Sequence, residues 1–242
     1  MNTLQFSTIG HSAALEYAAK ELCRAGWQHK ENAKIILLPV PSLDATGRIK
    51  GGPSPDELPA GALIIGGNLK HSAFEKRKCI DLLQNNRYLS ENAAITAHCA
   101  LCIAMENLPV TLTGCKVLVV GWGRIGKCLA RLLRLLGADV TIAARADADR
   151  ALAGAFGYRT MDIREEEPAL SEFRVIYNTA PAMVLTKKKL SVCRDDCLKI
   201  DLASVPGMEG NDIIWAKGLP NLDAPESSGK LIAQIVNEEL AP

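Results

Sequence analysis

Net charge is what this sequence most lacks. Its 28 lysines and arginines stand against 27 aspartates and glutamates, a formal charge of +1 over 242 residues. That leaves no long-range field of the kind a nucleic-acid binder or a polybasic membrane binder uses. Long apolar runs are missing too: residues 35–40 and 117–120 fall far short of the ~20 residues that cross a bilayer. The first ten residues lack a basic stretch followed by a long apolar core, so they do not read as a secretory signal, and a cytoplasmic protein is expected. With 48% hydrophobic residues, the chain has average globular composition and the size for one large domain or two small ones. A disordered or fibrous chain is excluded.

The eight cysteines lack a framework. They are scattered through a chain too long to need disulfide staples, so thiols are expected. Cys99 with Cys102, beside His98, and Cys193 with Cys197 are close pairs. They lie about ninety residues apart with different internal spacing, unlike the matched ligand pairs of a structural zinc site. No metal is expected.

What is present is a rhythm of short β-branched runs, Gly or Pro breaks and helical periods, the pattern of βαβ units around a parallel sheet. Residues 35–40 and 62–67 read as strands buried on both faces, 4–9 as a weaker strand, and 41–59, rich in Gly, Pro, Ser and Asp, as a loop. Residues 12–26 place Ala14, Leu15, Ala18, Ala19 and Leu22 on one helical face, with Gly26 as the stop. A helix over 93–108 leads into the best strand, 116–120. Further strands are expected at 140–143, 175–177 and 198–202, with a closing amphipathic helix at 228–240. The division is an α/β first domain, residues 1–93, and a second domain, 94–242. The runs Glu165 to Glu167 and Lys187 to Lys189 read as solvated helix faces.

Residues 116–126, KVLVVGWGRIG, form a GxGxxG fingerprint with a strand before it and a helix after it. Gly121 permits the tight turn, Gly123 lets backbone N–H groups approach a pyrophosphate, and Gly126 lets the helix lie close to the strand. Trp122, Arg124 and Ile125 complete the loop, and the positive end of the helix faces the phosphates. The second domain is therefore expected to be a Rossmann dinucleotide-binding domain, a doubly wound parallel sheet. At the end of its second strand, where an acidic residue would take the ribose 2′-hydroxyl of NAD, stands Arg145, which suits the 2′-phosphate of NADP. Asp147 and Asp149 follow and would repel that phosphate, so NAD stays open as the alternative.

Ligands of open parallel sheets bind at the carboxyl ends of the strands. There Asn178 and Thr179, before Pro181, face the nicotinamide end of a cofactor, or else form an Asx-type turn. Ser204 stands in the same position on the next strand. In the first domain Ser42 and Asn68 occupy strand-end loops and are the substrate-binding candidates, with Arg48 and Lys50 as charge partners. Among four histidines His98 lies nearest the helix joining the domains, which makes it the acid–base candidate beside Asn178 and Thr179.

Together these residues resemble one family of dipicolinate synthase chains, the NAD(P)-binding A-type subunit from spore-forming bacteria. The resemblance runs from about Ile35 to the C-terminus. It rests on Leu38-Pro39-Val40 with Thr46-Gly47, Ile65-Gly66-Gly67-Asn68, the Gly121 to Gly126 fingerprint, Gly137-Ala138-Asp139-Val140 running into Ala144-Arg145, Asn178-Thr179-Ala180-Pro181, Asp201-Leu202-Ala203-Ser204 with Pro206-Gly207, Gly218-Leu219-Pro220, Ala224-Pro225 and Ser228-Gly229-Lys230. It implies an oxidoreductase that forms dipicolinate from hydroxy-tetrahydrodipicolinate by loss of water and oxidation by NAD(P)+. It also implies a small dicarboxylate substrate and a partner, the flavoprotein-like B-type subunit, and a homo-oligomer is expected. Against the family pattern the first domain is truncated, His98 stands where an acidic residue is usual, and Ala146-Asp147 follows Arg145 where small hydroxyl residues would help a 2′-phosphate. Other readings are another two-domain dehydrogenase, of D-2-hydroxyacid or alanine dehydrogenase type, and a non-catalytic NADP-binding regulatory subunit.

Overall fold

A computed structural model describes residues 3–165 and 169–240; Glu166 and Glu167 of the acidic run lie outside them. In chain order the elements are β1 (Gln5–Thr8), α1 (Ala13–Arg24), β2 (Gln28–His29), β3 (Ile35–Leu37), β4 (Leu63–Gly66), β5 (Lys78–Asp81), α2 (Asn86–Asn107), β6 (Lys116–Val120), α3 (Arg124–Leu135), β7 (Asp139–Ala144), α4 (Asp147–Ala155), β8 (Arg159–Asp162), β9 (Val175–Asn178), α5 (Lys187–Leu190), β10 (Leu198–Asp201), β11 (Ile213–Trp215), α6 (Leu219–Leu222) and α7 (Pro225–Leu240). They form two compact units, one of residues 1–95 with 220–242, the other of residues 96–219.

The first unit holds a parallel sheet in the order β2-β1-β3-β4-β5. The chain leaves β1 in one direction and returns through β3 on its other side, so the switch point lies between β1 and β3. Helix α1 forms as its apolar spacing predicts, with the Ser12 hydroxyl accepting from Leu15 N at 3.2 Å as its N-cap. The connections β3 to β4 and β4 to β5 carry short 3-10 turns rather than long helices.

One sequence expectation is corrected. The closing helix, expected in the second domain, packs in the first unit's core: Leu231, Ile232, Ile235 and Val236 are buried with Phe6, Leu15, Leu22 and Trp27. The Trp27 indole donates to Asn237 Oδ1 at 3.0 Å. Amphipathic spacing shows that a helix has an apolar face, not which surface covers it. The two helices approach closely at Gly229, where an added Cβ would lie 2.6 Å from the Ala14 carbonyl oxygen and 2.8 Å from Ala18 N.

The second unit holds a parallel sheet in the order β11-β10-β9-β6-β7-β8. Read from the β8 edge, this is the order 3-2-1-4-5-6 of a doubly wound dinucleotide fold with β6 as its first strand, and the switch point lies between β6 and β9. The structure adds β2, β5, β8 and β11, all edge strands of two to four residues, too short to carry a periodic signal. It also starts α2 seven residues earlier than expected, where the Asn85 side chain accepts from Tyr88 N at 2.9 Å.

The Gly229 contact is with backbone, which cannot give way. Gly229→Val is expected to destabilise the first unit by about 2 kcal/mol, the scale of overpacking in close contacts, measured as a shift of the urea midpoint; an unchanged midpoint would mean that α7 is not docked on α1.

Candidate functional site

At the second unit's switch point the strand ends are tied together by backbone first. Gly121 N donates to the Ala143 carbonyl and Thr179 N to the Val120 carbonyl, each at 2.8 Å. The Thr179 hydroxyl donates to the same Val120 oxygen at 2.9 Å. Gly121 has φ +99°, and a Cβ there would lie 2.5 Å from Thr179 Oγ1. A Cβ on Gly126 would lie 2.1 Å from the Gly121 carbonyl oxygen. These two glycines are required by the protein's own packing.

Gly123 differs. It has φ −79°, which any residue adopts, and an added Cβ would meet nothing within 4 Å. It is the N-cap of α3, and among the described residues no side chain caps that helix. The first amides of a helix have no intrahelical acceptor, and the helix dipole favours negative charge at this end. The open space over Gly123 therefore sits on a surface suited to an anion, and the glycine there leaves backbone N–H groups accessible.

The neighbouring loop is set by Asp201, 1% exposed at the end of β10. One of its oxygens accepts from Asn178 Nδ2 at 2.8 Å and Ala203 N at 3.0 Å, the other from Gly207 N at 2.7 Å and Met208 N at 3.2 Å. Asn178 donates also to the Ala180 carbonyl at 3.0 Å and accepts from Ala180 N at 3.1 Å. Gly207 is glycine because a Cβ would lie 2.2 Å from Asn178 Nδ2.

These bonds correct several site expectations. Asn178 is fully buried with its amide committed to the loop, and Thr179 holds the Val120 carbonyl. Both build the site rather than face a ligand; the Asx-type turn is what forms. Trp122 is buried against Tyr158, with ring centroids 5.5 Å apart, and Phe156, at 6.4 Å, so its ring packs the fold instead of lining the loop. His98 lies on the exposed face of α2 and makes no hydrogen bond or ion pair among the described residues that would orient it. Ile125 is half-buried, while Arg124, Pro181 and Ser204 stay exposed beside the strand ends.

Arg145 follows β7 directly and is exposed. Arg150 braces it, donating to the Ala144 and Arg145 carbonyls at 2.8 and 2.9 Å while pairing with Asp147 and Asp162 at 3.1 Å each. The Asp147 charge, expected to repel a phosphate, thus has a cation against it. Sequence reading missed Arg150, whose position three residues after Asp147 on a helix was the available signal.

In the first unit Ser42 is also corrected. It is fully buried, donates to the Pro39 carbonyl at 2.8 Å and accepts from Gly67 N at 3.0 Å, so it joins two loops. Asn68 is exposed with φ +63°, held there by Asp81, which accepts from Asn68 N at 3.0 Å and Leu69 N at 2.8 Å. The loop expected at 41–59 is held by its own side chains: the Asp44 carboxylate accepts from Thr46 N and Oγ1 and from Arg48 N at 2.7 to 3.2 Å. The Thr46 hydroxyl bond holds the Asp44 carboxyl below its usual range. Arg48 is left exposed at its tip. Asp44-Ala45-Thr46-Gly47 is an Asx-turn signal that could have shown this order. No metal cluster exists among the described residues.

The division among the three fingerprint glycines is testable on the fold alone. Gly126→Ala is expected to cost about 2 kcal/mol through the clash with a backbone carbonyl, and Gly123→Ala under ~1 kcal/mol, both by thermal unfolding; equal losses would contradict the division.

Known proteins of similar sequence and fold bear on what this geometry serves. No family model matches the chain. The A-type subunit of dipicolinate synthase from Bacillus subtilis (strain 168) is 30% identical over 199 residues, covering 77% of this chain and 67% of that protein. The crystal structure of the corresponding dipicolinate synthase subunit from Bacillus halodurans superposes with a TM-score of 0.87 at 23% identity, over 100% of this chain and 99% of that one. The transhydrogenase from Sinorhizobium meliloti shares the fold at TM-score 0.71 and 16% identity, over 97% and 93% of the two chains. The structural likenesses carry the fold, and the sequence identity sustained over two thirds of the Bacillus subtilis protein carries the family: this chain belongs to the family of the dipicolinate synthase A-type subunit.

Proposed function

We propose that the chain is an NAD(P)-dependent oxidoreductase subunit that acts on a small dicarboxylate, forming dipicolinate from hydroxy-tetrahydrodipicolinate together with a flavoprotein-like B-type partner. The observation that supports this reading most is the division at the switch point. Gly121 and Gly126 serve the fold, and Gly123 has no structural reason to lack a side chain except to leave the α3 amides open.

A dinucleotide fits these residues. The α3 N-terminus and the Gly123 backbone would hold the pyrophosphate, and Arg145, braced by Arg150, the 2′-phosphate of NADP. Ser204 and the 179–181 turn line the strand ends where the nicotinamide half belongs. The bound nicotinamide supplies a hydride acceptor. The protein's task is then to orient the substrate ring and hold its two carboxylates, because loss of water followed by hydride loss leaves an aromatic pyridine and is strongly downhill. Arg48 and Asn68, exposed at the first unit's strand ends, are a cation and an amide of the kind that bind carboxylates.

A second reading draws on a specific observation. The catalytic candidates Asn178 and Thr179 are committed to the scaffold and His98 has no orienting partner among the described residues, which favours a non-catalytic NADP-binding regulatory subunit.

Two measurements separate these. Incubation with NADP+, substrate and the B-type partner is expected to raise the ultraviolet absorbance of dipicolinate; binding of the dinucleotide without that rise would leave only the regulatory reading. Arg145→Asp is expected to lower the NADP-over-NAD affinity ratio about tenfold or more, by removing one phosphate contact and adding repulsion; an unchanged ratio would make Arg145 a surface charge.

A further inference from the structure

The pair Cys193 and Cys197, which the sequence left without a role, is brought together by the turn between α5 and β10. Cys193 N donates to the Leu190 carbonyl at 3.1 Å and Cys197 N to the Arg194 carbonyl at 3.0 Å, folding residues 190–197 back on themselves. Arg174 pairs with Asp196 at 2.6 Å and Arg194 with the same carboxylate at 2.8 Å, which fixes the turn from outside. Cys193 packs against the buried cluster that contains Cys197. Cys193 is half-buried and reachable from solvent, while Cys197 is buried in the core.

Beside the pair lies a buried cation. The Lys199 ammonium donates to the Cys197 carbonyl at 3.3 Å and to Asp212 Oδ2 at 2.6 Å. It acts on both sulfurs in favour of a thiolate, with Arg174 adding to it at Cys197 and Asp212 opposing it at Cys193. The Cys197 hydrogen bond holds the Cys193 thiol below its usual range, and the same bond with burial pushes the Cys197 thiol up. A thiolate stabilised by a donor, next to a second thiol that stays protonated, is the arrangement of an attacking and a resolving cysteine.

We propose that Cys193 and Cys197 are a redox-active dithiol that closes reversibly into a disulfide by exchange with low-molecular-weight disulfides. The Cys193 thiolate attacks one sulfur of the external disulfide; that S–S bond breaks, a mixed disulfide forms on Cys193, and the departing thiolate takes up the proton Cys193 released. Cys197 then attacks Cys193 Sγ, and the second external thiol leaves with the Cys197 proton. Two protein thiols are oxidised and one external disulfide is reduced to two thiols. The two cysteines lie in one turn and Cys193 packs against the buried cluster that holds Cys197, so closure requires the approach of two neighbouring side chains and no rearrangement of the strand. The site lies at the start of β10, whose other end carries Asp201, and does not depend on the dinucleotide reading.

The test is incubation of the full chain with oxidised glutathione at neutral pH, alkylation of remaining thiols and peptide mass mapping. The free-thiol count is expected to fall by two, with Cys193 and Cys197 joined in one peptide two hydrogen masses lighter, and to recover with dithiothreitol. Cys197→Ala is expected to trap a glutathione adduct on Cys193, and Cys193→Ser to lower glutathione capture at position 197 at least about tenfold. The wild-type mapping decides the matter even where a variant fails to fold. Adducts accumulating on the exposed Cys23 and Cys102 while Cys193 and Cys197 stay alkylatable would overturn the proposal.

Discussion

The buried carboxylate of Asp201 is the constraint on which the second unit's strand ends depend. It accepts from two loops at once, the Asn178 amide after β9 and the backbone of residues 203, 207 and 208 after β10. Charge-assisted bonds of this kind are worth most where water is excluded, and their loss leaves several buried donors unpaired. With the 178–181 turn fixed in this way, Thr179 reaches the end of β6 and leaves only glycine room at 121. The glycine loop is therefore held from the neighbouring strand by the protein's own bonds.

Near-zero net charge has a physical consequence in this arrangement. An anionic ligand cannot be gathered by a general field, so it must be held by local devices: a helix N-terminus with no side-chain cap among the described residues, and Arg145 on a backbone braced by Arg150. Of the neighbouring carboxylates, Asp147 and Asp162 each have Arg150 against them. The first unit repeats the logic at its own strand ends, where Asp81 and Asp44 order the loops that carry Asn68 and Arg48.

Much of this was legible in the sequence, and the rest was hidden for identifiable reasons. The strand 116–120 and the fingerprint after it were plain because a fully apolar run abutting spaced glycines has few other uses. Strands β2, β5, β8 and β11 were not, because they are edge strands of two to four residues, and one such as Arg159–Asp162 also needs few apolar residues. The docking of α7 in the first unit was invisible, since periodicity shows an apolar face and not its partner. Ser42, Asn178 and Thr179 were read as ligand groups because polar residues at strand ends serve equally well as ligands and as loop fasteners; only their hydrogen-bond partners separate the two uses. Gly121, Gly123 and Gly126 look alike in sequence, and only the atoms around each show which serves the fold.

The central claim is that the α3 N-terminus at Gly123 is a dinucleotide site. Calorimetric titration of the wild-type chain and of Gly123→Val with NADPH tests it most directly. The account predicts one NADPH per wild-type chain and no measurable binding by a variant that unfolds at nearly the wild-type temperature. Absence of heat with the wild-type chain for NADPH and NADH alike, or undiminished binding by the variant, would contradict it.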